Sequence, residues 1–287
     1  MGEYFVGIGG QKCGTTWLAD YLFSHPQVWP NPIKEMHVFD ALFAPGQSRP
    51  MARQRISMAV DRLEAKDPRS DGEADELSAS RDLLTMYIRT PERVIKRYRR
   101  YFQRRVGPSH RAFGEITPAY ATLESPAFEA IQAAFPSARF IFVMRDPVDR
   151  FWSAARKALR AAPDVDVVTH LDRLLQHDRL MARSDYQGTL GTLDANVPPE
   201  RALVLFYEDL FGGTGADELR RITEFLGLDS LEGDLEITAN EGIETEMPAE
   251  RVEVVAHTFA DTYRYVSDRF SPLPARWAEH LQLISGS

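Results

Sequence analysis

A single cysteine, Cys13, stands in 287 residues, which excludes an intrachain disulfide, and no Cys/His spacing of a zinc site occurs. Nor does any stretch approach the roughly 18 uninterrupted apolar residues of a membrane span. No basic region precedes the first apolar run, and Val6 stands where a myristoylation signal after Met1-Gly2 needs Ser or Thr. A soluble cytoplasmic protein without membrane insertion is expected. Positive charge is also short: the net charge is −8 with a pI near 5.5, against broad nucleic-acid binding through phosphate neutralisation. Any basic surface must be local. What remains is ordinary globular composition, 44% hydrophobic and 26% charged, enough for a sizeable core. With no evident linker or internal repeat, one domain spanning 1–287 is expected.

The stretch Phe5 to Leu18 reads as a short buried strand, a turn with Gly9, Gly10 and Gly14, and a helix opening near Thr15. Such a junction presents backbone N–H groups without intrahelical partners, where phosphate or sulfate oxygens can dock, and Lys12 adds a full charge. The Walker pattern needs Gly before the Lys and Ser or Thr after it. Gln11 and Cys13 occupy those places, so this is an anion loop of another kind. Cys13 reads as a small loop residue, since no catalytic His lies near it in sequence.

Lys12-Cys13-Gly14-Thr15-Thr16-Trp17 resembles the 5′-phosphosulfate loop of sulfotransferases that use 3′-phosphoadenosine 5′-phosphosulfate (PAPS). The resemblance implies that Lys12 contacts the bridging oxygen, that Gly14, Thr15 and Thr16 hold the 5′ end, and that Trp17 stacks on adenine. Taken alone, a glycine turn with a solvated lysine explains the same stretch.

Downstream, Lys34-Glu35-Met36-His37-Val38-Phe39-Asp40 would, if extended, put Glu35, His37 and Phe39 on one side. A carboxylate and an imidazole on one face suit proton transfer. The segment resembles the Lys-Glu-x-His-x-Phe-Asp stretch of heparan-sulfate-type sulfotransferases, which implies Glu35 as general base and His37 as its orienting neighbour. Gly114-Glu115-Ile116-Thr117-Pro118-Ala119-Tyr120 is similar to the same branch's Glu-Lys-Thr-Pro-x-Tyr. Ile116 departs from it, standing where a catalytic-site lysine is expected. The strand Arg139 to Met144 is the clearest buried one, and Arg145 after it with Ser153 eight residues on resembles the family's 3′-phosphate grip. Arg150 reads as a structural or supporting cation, Glu208 and Asp209 as structural. The late loop, which often binds the 3′-phosphate, carries Glu241, Glu244 and Glu246.

Other segments give expectations of structure alone. Residues 41–50 read as a Pro/Gly loop and 51–66 as a helix with Ile56, Ala59, Val60 and Leu63 inward. Residues 67–80 read as a surface loop or disordered insertion. Thr90-Pro91-Glu92 opens a helix whose Arg93, Arg97, Arg100 and Arg104 form one stripe, either a solvated face or a patch for an anionic acceptor. A helix is expected over 165–182, another over 220–228 stopped at Gly227, and two more at the C-terminus.

Strands near 4–8, 112–116, 139–144 and 202–206 separated by helices predict an α/β fold, three layers and P-loop-like, with a central mostly parallel sheet. Ligands bind beyond the carboxyl ends of such strands. Lys12, Glu115, Arg145 and Glu208 each follow one. The resemblance implies metal-free sulfuryl transfer from PAPS to a hydroxyl-bearing small-molecule or glycan acceptor. A P-loop-like kinase and a non-catalytic nucleotide- or glycan-binding protein remain as alternatives.

Overall fold

Every strand of the sheet changes the face it presents at each residue, and both faces are apolar. In β1 (Glu3–Gly9), Tyr4, Val6 and Ile8 enter one core cluster and Phe5 enters the other. β2 (Ala112–Ile116) splits Phe113 from Ala112 and Ile116, and β3 (Arg139–Met144) splits Phe140, Phe142 and Met144 from Ile141 and Val143. β4 (Ala202–Phe206) sends Phe206 one way and Leu203 and Leu205 the other. The side-chain period of two, with both sides apolar, is what makes these runs central strands of a parallel sheet covered by helices on each face.

The computed structural model describes residues 2–87, 90–159, 166–235 and 247–286, with the backbone alone at 45–48. The strands run parallel in the order β2-β1-β3-β4. After β1 the chain goes to one side to build β2 and then returns to the other side for β3. The strand order therefore reverses between β1 and β3, and the crevice beyond their carboxyl ends is where such a fold takes ligands.

Helices fill the layers. α1 (Thr15–Ser24) follows β1; α2 (Val38–Phe43), α3 (Pro45–Glu64), α4 (Asp71–Met86) and α5 (Pro91–Arg105) lead to β2, and α6 (Ser125–Ala134) precedes β3. α7 (Pro147–Leu159), α8 (Leu171–Leu175), α9 (Asp178–Met181) and α10 (Tyr186–Asn196) separate β3 from β4. α11 (Tyr207–Leu210) and α12 (Gly215–Phe225) come next, then α13 (Ala249–Thr258), α14 (Ala260–Arg269) and α15 (Ala275–Ser285). Side chains of α1 and α12 pack one face; those of α2, α5, α6, α7, α10 and the C-terminal helices pack the other.

Several expectations are corrected. Residues 67–80 are no disordered insertion: α4 begins at Asp71 behind a capping box in which Ser70 and Glu73 satisfy each other's backbone N–H, and it buries Leu77, Ala79 and Leu83. The small polar composition hid this helix, although Ser70-x-x-Glu73 is its start signal. Residues 41–43 and 45–50 are helical rather than a loop, broken only at Ala44, because Pro45 sits in the first turn of α3, where its missing N–H costs nothing. The stretch 166–182 breaks into α8 and α9 instead of one helix. His177 between them is extended (φ −88°, ψ 101°), which ends one helical turn and starts the next. Three helices, not two, close the chain. The acidic late loop, with Glu241, Glu244 and Glu246, lies outside the described residues.

Candidate functional site

Among the described residues only Lys12 (φ 71°) and His37 (φ 50°) adopt positive φ without being glycine. Such backbone is strained by ~1–3 kcal/mol and persists where the surroundings dictate it. Both residues were candidates from sequence. At the loop after β1, Gly10 N–H donates to Val143 O at 2.6 Å and Cys13 N–H to Gly10 O at 3.2 Å, pinning the turn to β3. Gly14 heads α1 with φ 75°, and a Cβ there would meet the Phe211 ring at 2.7 Å, so only glycine fits. The first intrahelical donor is Leu18, bonded to Gly14 O at 3.0 Å. The N–H groups of Thr15, Thr16 and Trp17 before it have no intrahelical acceptor and carry the positive end of the helix dipole.

Cys13 is wholly buried, and burial pushes its thiol up to about 11 despite the Arg150 and Arg145 charges. It is protonated and inert at neutral pH, as a structural loop residue should be. Trp17 is nearly buried, stacked on Tyr21 at 5.3 Å with Phe211 edge-on, and its indole N–H donates to Asp234 O. With 6% of Trp17 exposed, the ring leaves little free surface for a further stacked base.

Arg145 meets the loop directly: Nη1 donates to the Lys12 carbonyl at 3.2 Å, and the guanidinium lies 4.3 Å over the Tyr207 ring. Its Nε is buried without an acceptor among the described residues, and so is Nη1 of Arg150. Arg150 is fully buried; its remaining donors go to Ser184 Oγ and Leu180 O, with no carboxylate among the described residues. Two guanidinium donors beside the loop thus keep unused hydrogen-bonding capacity of the kind that phosphate or sulfate oxygens take up. Ser153 lies half-buried on α7. The Arg145 rim is fixed from behind. Asp146 N–H donates to Glu208 Oε1 at 2.8 Å, and the buried Asp146 carboxylate accepts from Asp149 N–H, Tyr263 Oη and His280 Nδ1. Glu208 also accepts from Trp277 Nε1 at 2.9 Å, so its role is to anchor β4 and α15 to this rim.

The second half of the site is the segment 34–40. It is not an extended strand: residues 34–37 are irregular, and α2 starts at Val38, sending Phe39 into the core. Two bonds from the end of β2 force this course. Ile116 N–H donates to Lys34 O at 3.1 Å and Met36 N–H to Glu115 Oε2 at 3.0 Å. Glu35 and His37 meet all the same, His37 Nε2 to Glu35 Oε2 at 3.2 Å, because the left-handed turn at His37 swings the ring back. His37 Nδ1 lies 2.8 Å from Asp40 Oδ2, which completes an Asp–His–Glu chain. Burial disfavours charge on Glu35, yet the His37 hydrogen bond and the Lys34 and Arg55 charges outweigh it and hold the carboxyl at about 2. Burial likewise opposes charge on His37, and the bonds to Asp40 and Glu35 lift it to about 9. At neutral pH the pair is carboxylate and imidazolium.

Lys34 joins the two halves, with Nζ donating to Thr16 Oγ1 at 2.7 Å and lying 3.8 Å from Glu35 Oε1. Arg55 from α3 donates to the Glu35 carbonyl at 2.7 Å and to its carboxylate at 3.3 Å. Sequence inspection gave Lys34, Asp40 and Arg55 no role. Asp40 had a signal in its i+3 spacing from His37 on an incipient helix; Arg55 had none. The arginines at 93, 97, 100 and 104 form an exposed face of α5, with Arg97 bonded to Thr85 Oγ1. Glu115 is wholly buried under this site, not exposed in it.

No metal-holding group of three or more His, Cys, Asp or Glu exists among the described residues, nor any helix long and apolar enough to cross a membrane. The fold resembles a sulfotransferase from Alicyclobacillus acidocaldarius (TM-score 0.63, 19% identity, 97% of this chain and 99% of that one). It is also similar to the sulfotransferase domain of the Synechococcus PCC 7002 olefin synthase (TM-score 0.53, 19% identity, 100% and 94% covered). A third likeness is the sulfotransferase domain of the curacin biosynthetic pathway (TM-score 0.51, 18% identity, 99% and 97% covered). No curated protein sequence matches the chain significantly. The model of the sulfotransferase family matches residues 5–232, a span that holds the Lys12 loop, the Glu35 segment and the Arg145 rim. With the parallel sheet and its loop after β1, that match decides the family: the chain belongs to the sulfotransferases.

Proposed function

We propose that the protein transfers a sulfuryl group from PAPS to the hydroxyl of a carbohydrate or small natural product, in the cytoplasm and without metal. PAPS, when bound, supplies the activated sulfuryl group; holding it and moving the acceptor proton fall to the chain. Lys12 and the N–H groups of Gly14, Thr15 and Thr16 hold the 5′ end and neutralise charge growing on the bridging oxygen. Arg145 and Ser153 hold the 3′-phosphate, far from the reacting sulfur, where binding energy fixes orientation. The orphaned Nε of Arg145 fits that task, since an Arg fork and a phosphate match in two parallel bonds.

On the other side, Glu35 accepts the acceptor hydroxyl's proton. With its pKa held at about 2 it is ionised and ready but weakly basic, which suits removal late in attack, when the acceptor oxygen has become strongly acidic. His37 and Asp40 fix the carboxylate's direction. The observation that carries the proposal is the bond from Lys34 to Thr16, which brings the base segment onto the anion loop.

A kinase needs a hydroxyl ligand for magnesium after Lys12, and the buried, protonated Cys13 thiol is a poor donor to so hard a cation. Calorimetry with adenosine 3′,5′-bisphosphate against ATP with magnesium tests the nucleotide, and sulfate transfer to an acceptor panel tests the reaction. Binding of the bisphosphate together with loss of transfer in Lys12→Ala and Glu35→Gln supports sulfuryl transfer. Turnover within a few-fold of wild type in both variants refutes the assignment, and transfer by neither wild type nor variants leaves a binding protein.

A further inference from the structure

Ile116 leaves the end of β2 without charge: it is wholly buried, with its side chain against Gly7. Its N–H nevertheless holds the carbonyl of Lys34 at 3.1 Å, so the backbone of a lysine lies across that strand end. From there the Lys34 side chain runs to the first turn of α1, to Thr16 Oγ1 at 2.7 Å, and stops 3.8 Å from Glu35 Oε1. A cation thus stands between the loop that takes the donor's 5′ end and the carboxylate that faces the acceptor.

We propose that Lys34 is a catalytic residue, the second cation that grips the oxygens of the transferring sulfuryl group opposite Lys12. The assignment rests on the sulfuryl-transfer function proposed above. The acceptor oxygen bonds to sulfur as the bond from sulfur to the bridging oxygen breaks, the electron pair leaving on the 5′-phosphate. The hydroxyl proton goes to Glu35, and Lys34 keeps its own proton throughout. A half-buried ammonium is unfavourable without anionic company. Burial lowers the Lys34 pKa, and Glu35 and Asp20 only partly offset it. Sulfuryl oxygens between Thr16 and Glu35 add counter-charge to that of Glu35, and the ammonium in turn screens those oxygens from the Glu35 carboxylate.

The test compares calorimetric affinities for PAPS and for adenosine 3′,5′-bisphosphate, which lacks the sulfuryl group. In Lys34→Met, PAPS affinity is expected to fall about tenfold while bisphosphate affinity stays within about twofold, the loss of one charge-assisted contact. Lys34→Arg should recover most of the difference. Equal losses for both ligands, or no loss for either, overturn the assignment, since a lysine that only braces the loop would not distinguish them. Circular dichroism verifies folding; if Lys34→Met does not fold, Lys34→Gln carries the same comparison. Wild-type protein that binds neither ligand refutes the sulfuryl-transfer function itself, an outcome visible before any variant is made.

Discussion

Arg145 donates to the carbonyl oxygen of Lys12 at 3.2 Å, across 133 residues of chain. The contact exists because β1 and β3 are neighbours and both end at the point where the strand order reverses. Each strand delivers one cation to the same crevice. Arg145→Ala is expected to cost about 1.5–3 kcal/mol, the value of a hydrogen bond to a charged group, or about 10- to 150-fold in affinity for adenosine 3′,5′-bisphosphate. Adenosine 5′-phosphate, lacking the 3′ group, should lose far less. Calorimetry with both nucleotides checks this, and equal losses would place Arg145 away from the 3′-phosphate.

Glu35→Gln keeps shape and removes the proposed proton acceptor. Turnover should drop about 10²- to 10⁴-fold, the usual worth of a positioned general base, with nucleotide affinity unchanged. Asp40→Asn leaves the carboxylate of Glu35 but loosens His37, and should cost less. Steady-state rates with a responsive acceptor rank the two; a smaller loss in Glu35→Gln than in Asp40→Asn would move the base elsewhere.

Much of this site was legible in the sequence because strands and anion loops leave local marks. Phe5-Val-Gly-Ile followed by glycines and Lys12, and Arg139 to Met144 followed by Arg145, each declare a strand and a polar residue at its end. Only the sheet order, a product of long-range packing, brings them together. Glu35 and His37 were legible as residue types but not as geometry: their meeting depends on the left-handed turn at His37, imposed by Glu115 and Ile116 nearly 80 residues later. Arg55 reaches Glu35 from the middle of α3, and no local pattern marks such a contact. The helix α4 is hidden for a different reason: its small, polar composition masks the two-residue signal of its capping box.

The ion chain at Glu35 and His37 makes two pH predictions. Glu35 is depressed to about 2, so its stabilising share is present above the ordinary 4.5 and lost as pH falls towards 2. His37 is raised to about 9, so its share is present below the ordinary 6.5 and lost as pH rises through 9. The excess stability of wild type over His37→Gln should therefore be greatest between pH 4.5 and 6.5, shrink as pH rises from 6.5 towards 9, and be gone above 9. Melting temperatures across pH measure it; a difference that grows on the alkaline side contradicts the charge pair. In turnover, His37→Gln should move the acid limb of the rate profile up, towards or past 4.5, because burial then opposes ionisation of Glu35 with less to offset it. Arg55→Ala should shift it the same way by less.

Glu115 is the hidden support of the segment that carries Glu35 and His37. Its carboxylate accepts from Met36 N–H at 3.0 Å, Thr117 Oγ1 at 2.6 Å and Tyr120 Oη at 3.1 Å, with a fourth donor in Tyr98 Oη. Tyr120 Oη in turn accepts from Val38 N–H at 2.9 Å, so both flanks of Glu35 and His37 hang on this one group. Burial raises the Glu115 pKa, against the pull of those donors. Four donors need an acceptor-only partner, which the ionised carboxylate is and an amide is not. Glu115→Gln turns an N–H₂ group towards donors and should cost roughly 3 kcal/mol from buried groups left unpaired, a fall of roughly 6–12 °C in Tm. Turnover should fall further than donor affinity, since Lys12 and Arg145 lie on other strands. A variant that melts like wild type yet turns over normally would show that Met36 and Val38 hold the base segment without Glu115. One that loses nucleotide binding as steeply as turnover would make Glu115 a support of the whole rim, not of the acceptor side.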